Sequence, residues 1–196
     1  VRGVVSKING EPKLHRWPSR MESAIARLMA EYTRDADVYH TMALYPRDKV
    51  GRFEGRSKAN AAYMTGIVVD VDAGPEKFKR NPEKNYPDEA AALEVTKRAV
   101  EATGLVPSYV ARSPSGGLHL YYLTGDPMRP AQWEPYAKAV QSALQAAGLL
   151  IDTSCTTDAA RIMRMPGSLY KSTGKRVGLY RYREALYTWD ERGKLV

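Results

Sequence analysis

The distribution of apolar and polar residues predicts two strands and one helix in the first part of the chain. Residues 37–46 alternate between apolar and polar with period two, which predicts a strand, and 64–71 form an apolar run typical of a buried strand. Ser19 is a candidate N-cap for an amphipathic helix, because apolar residues follow it at helical spacing over 25–32. The segments expected to be irregular are 1–18, a mobile basic loop at 47–60 and a polar loop at 73–87.

The remainder of the chain predicts helices that alternate with short strands. The predicted elements are a helix over 88–103 with Gly104 as its C-cap, a hairpin of 107–113 and 118–124, a helix over 130–148, and strands near 177–182 and 185–189. This order of elements favours an α+β fold with an antiparallel sheet at its centre.

Composition narrows the class of protein. The 196 residues are 43% hydrophobic, which is enough for one domain with a substantial core, and no stretch is apolar enough to span a membrane. We expect no signal peptide. The single cysteine, Cys155, excludes an internal disulfide and a Cys-rich zinc site. The reducing cytoplasm is therefore the default expectation for the location of the protein. The net charge of +8 favours an anionic partner such as nucleic acid or nucleotide.

Two acids at the end of an apolar run are the first candidates for chemistry. Asp70 and Asp72 follow Ile67-Val68-Val69 and share one face of the predicted strand, because side chains alternate with period two. Carboxylates at this spacing can bind hard divalent cations. The simpler interpretation of the pattern is a strand that ends in a solvated acidic turn.

A glycine-rich turn forms the second candidate, Ser115-Gly116-Gly117-Leu118-His119. The glycines permit a close backbone approach, and successive amide groups in such a turn can bind phosphate oxygens. The alternative is an ordinary hairpin turn followed by a structural histidine.

A third acid and a basic segment form the last candidate. Asp152 follows the apolar residues 149–151 and is expected at a strand edge. Asp158 is the alternative candidate for the third acid of the site. Arg164, Ser168 and Lys171 offer contacts suited to phosphate, although a surface turn with solvated basic residues would show the same pattern. Together the three segments supply what two-metal phosphoryl transfer requires, namely three acids with phosphate-binding groups nearby.

These residues, taken in order, resemble the three motifs of the archaeo-eukaryotic primase superfamily. The matching residues are Asp70-Val71-Asp72, Ser115-Gly116-Gly117-Leu118-His119 and Ile151-Asp152, and the stretch 161–174 is similar to a segment of archaeal small primase subunits. The spacing of the glycine-rich motif is more similar to primase-polymerases of plasmids and phages. The resemblance covers about residues 37–180.

The resemblance implies a fold, an activity and a set of roles. The implied fold is a single primase-polymerase catalytic domain over 1–196, with an RRM-like sheet in 61–196 and a smaller N-terminal α/β part in 1–60 packed on it. The implied activity is DNA-directed nucleotidyl transfer that synthesises and extends primers in replication, with Mg²⁺ or Mn²⁺ and without zinc. Its partners would be single-stranded DNA, nucleoside triphosphates, and a helicase domain or helical template-binding module outside this sequence.

The implied site residues fall into two groups. The metal ligands would be Asp70, Asp72 and Asp152, and the nucleotide-binding residues would be Ser115, Gly117, His119, Arg164, Ser168 and Lys171. The chain departs from the archaeal pattern at Tyr170, which stands in place of a histidine, and at Ser172, which is inserted before Thr173-Gly174.

Three other functions are compatible with parts of the pattern. A non-catalytic module that binds single-stranded nucleic acid or an origin fits the charge and the 13 tyrosines, but it has no need of three acids. An end-joining repair polymerase would use the same chemistry as a primase-polymerase. A rolling-circle nuclease ranks last, because it needs paired histidines and the three histidines lie far apart in the sequence.

Overall fold

The computed structural model describes residues 2–8, 11–16, 37–46 and 56–181. The ten strands among these residues are β1 Arg2–Ile8, β2 Glu11–Arg16, β3 Asp37–Leu44, β4 Tyr63–Val71, β5 Tyr109–Arg112, β6 Leu118–Met128, β7 Ile162–Arg164, β8 Leu169–Tyr170, β9 Lys175–Arg176 and β10 Gly178–Arg181. The described helices are α1 Pro75–Arg80, α2 Glu89–Thr103, α3 Pro130–Ala146 and α4 Thr153–Thr156.

Eight of these strands form one antiparallel sheet. Seven follow the order β10-β5-β6-β4-β3-β1-β2, β7 pairs with β3 beside this path, and β8 and β9 form a separate hairpin. Strand β3 pairs with β4 only at Ala43 and Leu44, and its earlier residues 39–41 pair with β7 instead. The two strands therefore diverge, and the sheet opens beside the C-terminal end of β4.

The helices cover the sheet through apolar side chains. Helix α3 buries Trp133, Ala137, Val140 and Leu144, and the Trp133 indole donates a hydrogen bond of 3.0 Å to the carbonyl of Gly66 in β4. Strand β4 is apolar over 67–69, and all three of these residues are buried. The end of β4 is therefore held between a paired strand, β6, and a packed helix.

Helix α2 ends as its sequence predicts. Its N-cap Asp88 accepts a hydrogen bond of 2.8 Å from the amide of Ala91, and Gly104 adopts φ +70° at its C-terminus. A helix that ends in this way needs a residue with a left-handed backbone conformation, which glycine adopts more readily than other residues.

Most of the predicted elements are confirmed. The strands at 37–46 and 64–71, the hairpin, both long helices and the strand near 177–182 are present, and the α+β class with a central antiparallel sheet is correct. Among the described residues, no helix is both long and apolar enough to cross a membrane.

Two predictions about irregular segments were wrong. Residues 1–18 contain β1 and β2, and 73–87 contain the short helix α1. The predicted helix after Ser19 and the strand at 185–189 lie outside the described residues, as do 47–55 of the predicted basic loop. The division at residue 60 stays a prediction, and it falls between β3 and β4, which are hydrogen-bonded neighbours.

Candidate active site

Asp70 and His119 are direct cross-strand partners at the open end of the sheet. Asp70 is the penultimate residue of β4 and His119 the second residue of β6, in register with each other. His119 Nε2 lies 3.7 Å from Asp70 Oδ1, and both side chains are buried or nearly so. The strand pairing therefore brings the first and second sequence motifs into contact.

Asp72 lies just beyond β4 and faces helix α1. Its carboxylate Oδ1 pairs with Nζ of Lys77, the third residue of that helix. The backbone carbonyl of Asp72 accepts a hydrogen bond of 2.9 Å from the amide of Tyr86, which fixes the chain where it leaves the strand. The common facing of Asp70 and Asp72 stays a prediction, because β4 ends at Val71 and Asp72 lies outside the strand whose period it depends on.

Asp152 reaches the same place from a different element than expected. It is the N-cap of α4 rather than a strand-edge residue, and its Oδ1 accepts hydrogen bonds from the Ser154 amide at 2.9 Å and hydroxyl at 2.6 Å. The expectation failed because an acid before Thr-Ser caps a helix readily. The Asp152 amide donates a 2.8 Å hydrogen bond to the carbonyl of Asp70, so the third acid is attached to the end of β4 by its backbone.

Arg161 connects two of these acids. Its Nη2 lies 3.2 Å from Asp152 Oδ2 and 3.7 Å from Asp70 Oδ2. In the described part of the chain, no three His, Cys, Asp or Glu side chains form a ready-made metal cluster. The carboxylate oxygens are instead occupied by the cationic groups of Lys77 and Arg161.

Burial and charge give Asp70 and His119 unusual proton affinities. Burial, together with the nearby Asp72, raises the pKa of Asp70 from 3.8 to about 7, and the positive charges of Lys77 and Arg161 only partly oppose this. Burial, followed by the nearby Arg164, lowers the pKa of His119 to about 3. His119 is therefore a neutral imidazole at physiological pH. Its Nδ1 is buried and has no hydrogen-bond partner among the described residues.

The glycine-rich turn packs against the end of β4. Gly116 has φ +100°, and a Cβ atom on Gly117 would lie 2.8 Å from the carbonyl oxygen of Val71. Ser115 shares a hydrogen bond of 2.8 Å with the hydroxyl of Ser113. The turn therefore supports the strand end that carries Asp70 and Asp72, and neither Ser115 nor Gly117 is among the residues that line the adjacent cavity.

A cavity of about 370 Å³ lies where β3 and β4 diverge. Its lining combines Asp70 and His119 with three arginines, Arg56, Arg161 and Arg164. Two of these arginines were not predicted as site residues. Arg161 belongs to the Arg-x-x-Arg segment that ends at Arg164, which was a usable signal, whereas Arg56 was assigned to the basic loop.

Arg164 is held by aromatic side chains. Its guanidinium carbon lies 3.9 Å from the ring centroid of Tyr170 and 5.7 Å from that of Tyr39. Its Nε is buried without a hydrogen-bond partner in the described part of the chain. Two rings thus fix an arginine at the cavity wall, and its permanent charge there suits an anionic ligand.

Ser168 and Lys171 are not brought into this cavity. The Ser168 side chain is buried and its hydroxyl donates to the carbonyl of Met165 at 2.6 Å. Lys171 is exposed after β8, and its amide donates to the Asp37 carboxylate at 3.0 Å. Their nucleotide-binding roles stay predictions, as do those of Ser115 and Gly117.

Asp158 is among the residues that line this cavity, and Asp152 is not. Its carboxylate lies 3.6 Å from Lys58 Nζ and accepts a hydrogen bond of 3.0 Å from the Ala160 amide. Next to it, the guanidinium of Arg56 donates to the carbonyl of Ala160. The described end of the predicted basic loop therefore contacts the site.

A second cavity, of about 510 Å³, lies on another side of the acids at the end of β4. Asp72 and Asp152 line it, together with Asn85 and the 148–151 segment. The three predicted acids thus lie between two cavities, with Asp70 facing the basic one.

The chain has an archaeo-eukaryotic primase-type fold, as the sequence motifs predicted, and solved structures show the likeness. The AEP domain of the primase-polymerase (PrimPol) of cyanophage S-2L superposes with a TM-score of 0.59 and 18% identity, over 95% of this chain and 83% of that chain. The catalytic domain of the primase Repb′, in complex with initiator DNA, superposes with a TM-score of 0.52 and 14% identity, over 94% of this chain and 77% of that chain.

A third solved structure shares the fold over a smaller part of its own length. The polymerase domain of Mycobacterium tuberculosis Ligase D, in complex with DNA, superposes with a TM-score of 0.51 and 18% identity, over 74% of this chain and 52% of that chain. At the level of sequence, no protein-family model matches and no curated protein is significantly similar. These three structural neighbours are a primase-polymerase domain, a primase catalytic domain and the polymerase domain of a ligase.

Proposed function

We propose that this chain is the catalytic domain of a DNA primase-polymerase. It would join nucleotides from their triphosphates on a single-stranded DNA template, with Mg²⁺ or Mn²⁺, to synthesise and extend primers in replication. One observation carries the proposal: Asp70 and His119, from two separate motifs, face a cavity whose other charged groups include three arginines. Acids beside clustered guanidinium groups suit the transfer of a phosphoryl group.

The donor set fits a divalent metal. Asp70, Asp72 and Asp152 offer carboxylate oxygens, which are the ligands that Mg²⁺ and Mn²⁺ prefer. The raised pKa of Asp70 supports this assignment, because it reports negative charge in a buried place that the neighbouring cations do not fully neutralise. When bound, the metal ions would activate the attacking 3′-hydroxyl and neutralise charge on the leaving pyrophosphate.

The other residues would bind and orient the nucleotide. Arg164, held between Tyr39 and Tyr170, would pair with the triphosphate as a permanent cation. His119 would donate a neutral hydrogen bond, because burial excludes its imidazolium form. The packed turn at Gly117 would keep Asp70 and Asp72 from shifting when the charged substrate enters.

The test is synthesis on unprimed single-stranded DNA. We expect labelled products with Mg²⁺ or Mn²⁺, and no products from Asp72→Ala, while binding of the template, which depends on Lys and Arg, is retained. Asp158→Ala should be much milder, because Asp158 pairs with Lys58 instead of joining the acids at the end of β4. Full activity of Asp72→Ala would contradict the proposal, and an inactive Asp158→Ala beside an active Asp152→Ala would reassign the third ligand.

The likeness to the polymerase domain of Ligase D favours a second candidate, gap filling at DNA ends. The two functions use the same chemistry and differ in the nucleic acid supplied. Extension only of annealed ends with 3′ overhangs, with no product on unprimed template, would favour the repair polymerase. If neither substrate supports synthesis although DNA binds, the chain is a binding module.

A further inference from the structure

Arg161 contacts two predicted metal ligands through a single nitrogen. Its Nη2 lies within 3.2 Å of Asp152 Oδ2 and 3.7 Å of Asp70 Oδ2, so the same atom pairs with one oxygen of each carboxylate. The Asp70 side chain is only 15% exposed, and water screens its charge poorly. The guanidinium therefore places positive charge beside both acids.

The local chain geometry explains why the arginine reaches both acids. The Asp152 amide donates to the Asp70 carbonyl, and helix α4 then turns the chain back toward β7. The Arg161 amide donates to the Asp158 carbonyl at 3.0 Å, which fixes Arg161 just before that strand. Asp152 and Arg161, nine positions apart in the sequence, thus meet at the end of β4.

We propose that Arg161 is a placeholder for the divalent cation: it pairs with Asp70 and Asp152 in the metal-free protein and releases them when a cation binds. The inference rests on the proposed function, because it takes these two acids as metal ligands. Arginine can fill this role at any physiological pH, since its charge does not titrate. The carboxylate oxygens that pair with Arg161 are oxygens a cation would need, so the two compete.

The position of Arg161 gives the exchange a second consequence. Arg161 also lines the basic cavity beside His119 and Arg164. Once released from the carboxylates, its guanidinium is available to phosphate oxygens in that cavity. Cation and triphosphate should therefore each strengthen the binding of the other.

The first experiment measures cation binding without catalysis. Mn²⁺ affinity is determined by electron paramagnetic resonance for the wild type, Arg161→Gln, Arg161→Lys and Arg164→Gln, without nucleotide or DNA. We expect Arg161→Gln to bind Mn²⁺ about 3- to 10-fold more tightly, since a half-exposed ion pair no longer competes. The Mn²⁺ affinity of Arg161→Lys should lie between those of Arg161→Gln and the wild type.

The control separates competition from general electrostatics. Arg164 carries the same charge and lines the same cavity, but its guanidinium stacks on Tyr170 and forms no ion pair with the acids in the described part of the chain. Arg164→Gln should therefore leave Mn²⁺ affinity within about twofold of the wild type. Guanidinium ion added at millimolar concentration to Arg161→Gln should weaken Mn²⁺ binding again, because it refills the vacated position.

The second experiment measures coupling with a non-hydrolysable nucleoside triphosphate by calorimetry, with Ca²⁺ or with a chelator. In the absence of metal, Arg161→Gln and the wild type should bind the analogue equally, because Arg161 is engaged with the acids. With Ca²⁺ the wild type should bind about 10- to 150-fold more tightly than the variant, the value of a charged hydrogen bond.

The outcomes separate this inference from the proposed function. Unchanged or weaker Mn²⁺ binding by Arg161→Gln, or equal tightening by Arg164→Gln, would overturn the placeholder role and leave the metal site standing. An equal loss of analogue affinity with and without Ca²⁺ would also overturn it. If the wild type binds neither Mn²⁺ nor Ca²⁺, the metal-dependent function itself fails.

Discussion

Replacing Asp70 with asparagine should make the metal-free protein more stable while abolishing nucleotide addition. The pKa of Asp70 is raised by burial and by Asp72, so the folded protein favours the uncharged carboxyl group. Above pH 7 the wild type keeps a charged carboxylate in a place that disfavours it. Asparagine has nearly the same shape without the charge and removes this cost.

The size of the effect follows from the two pKa values. A rise from 3.8 to about 7 corresponds to about 4 kcal/mol at pH values above both. Because the folded pKa is the higher one, the stabilisation from protonation is complete below pH 3.8 and is lost as the pH rises through 7. We therefore expect the stability difference between Asp70→Asn and the wild type to be small near pH 4 and to grow to about 2–4 kcal/mol near pH 8. In a chain of this size that is about 5–12 °C in Tm.

The assay is thermal unfolding in chelator at several pH values. Asp126→Asn is the matched control, because Asp126 is exposed on β6 and should change Tm little at any pH. Addition of Mn²⁺ should raise the Tm of the wild type and leave Asp70→Asn nearly unchanged, since the variant lacks one carboxylate ligand. If Asp70→Asn is no more stable than the wild type near pH 8, the charge on Asp70 does not destabilise the folded protein and the reasoning is refuted.

Three further predictions concern neighbouring parts of the molecule. Tyr170→Ala should raise the KM for nucleotide in steady-state primer extension about 2- to 30-fold, because it removes the ring that holds Arg164. Tyr170→Phe should leave the KM unchanged, because it keeps the ring. Equal KM values for the two variants would exclude a role for the ring contact. Gly117→Ala should lower stability by about 1–3 kcal/mol because its Cβ would press on a backbone carbonyl, whereas Gly125→Ala, with open space, should be near neutral. Affinity for single-stranded template should fall steeply as the salt concentration rises, and replacing Arg47, Lys49 and Arg52 of the 47–60 segment by neutral residues should make this dependence less steep. An unchanged salt dependence would show that the segment does not contact DNA.

Elements with strong local signals could be predicted from the sequence. The apolar run before Asp70, the capping residues of α2 and the paired glycines of the hairpin each determine structure within a few residues. Strands β1 and β2 were missed because they are short, and Lys, Glu, Pro and Arg interrupt their apolar residues. Their structure depends on pairing with β3 and with each other, which no local pattern reveals.

The site could be predicted in its chemistry but not in its ion pairs. The order of acids and glycines indicated the primase-type fold, and strand pairing brings Asp70 and His119 together. The contact of Arg161 with Asp70 spans ninety-one residues of sequence, so spacing alone could not predict it. The neutral state of His119 likewise depends on burial by the whole sheet, which only the structure reveals.

Strand β3 limits how the molecule can be divided. It pairs with β1 on one edge and with both β4 and β7 on the other, so it contributes to every part of the opening in the sheet. A fragment that starts at residue 61 would leave the backbone of β7 without its partner, and the wall that carries Arg164 would lose its support. The cavity that Asp70, His119 and Arg164 line therefore cannot be transplanted with the three acidic and glycine-rich motifs alone. A chimaera between two proteins of this fold should place its junctions outside the span from β3 to β7.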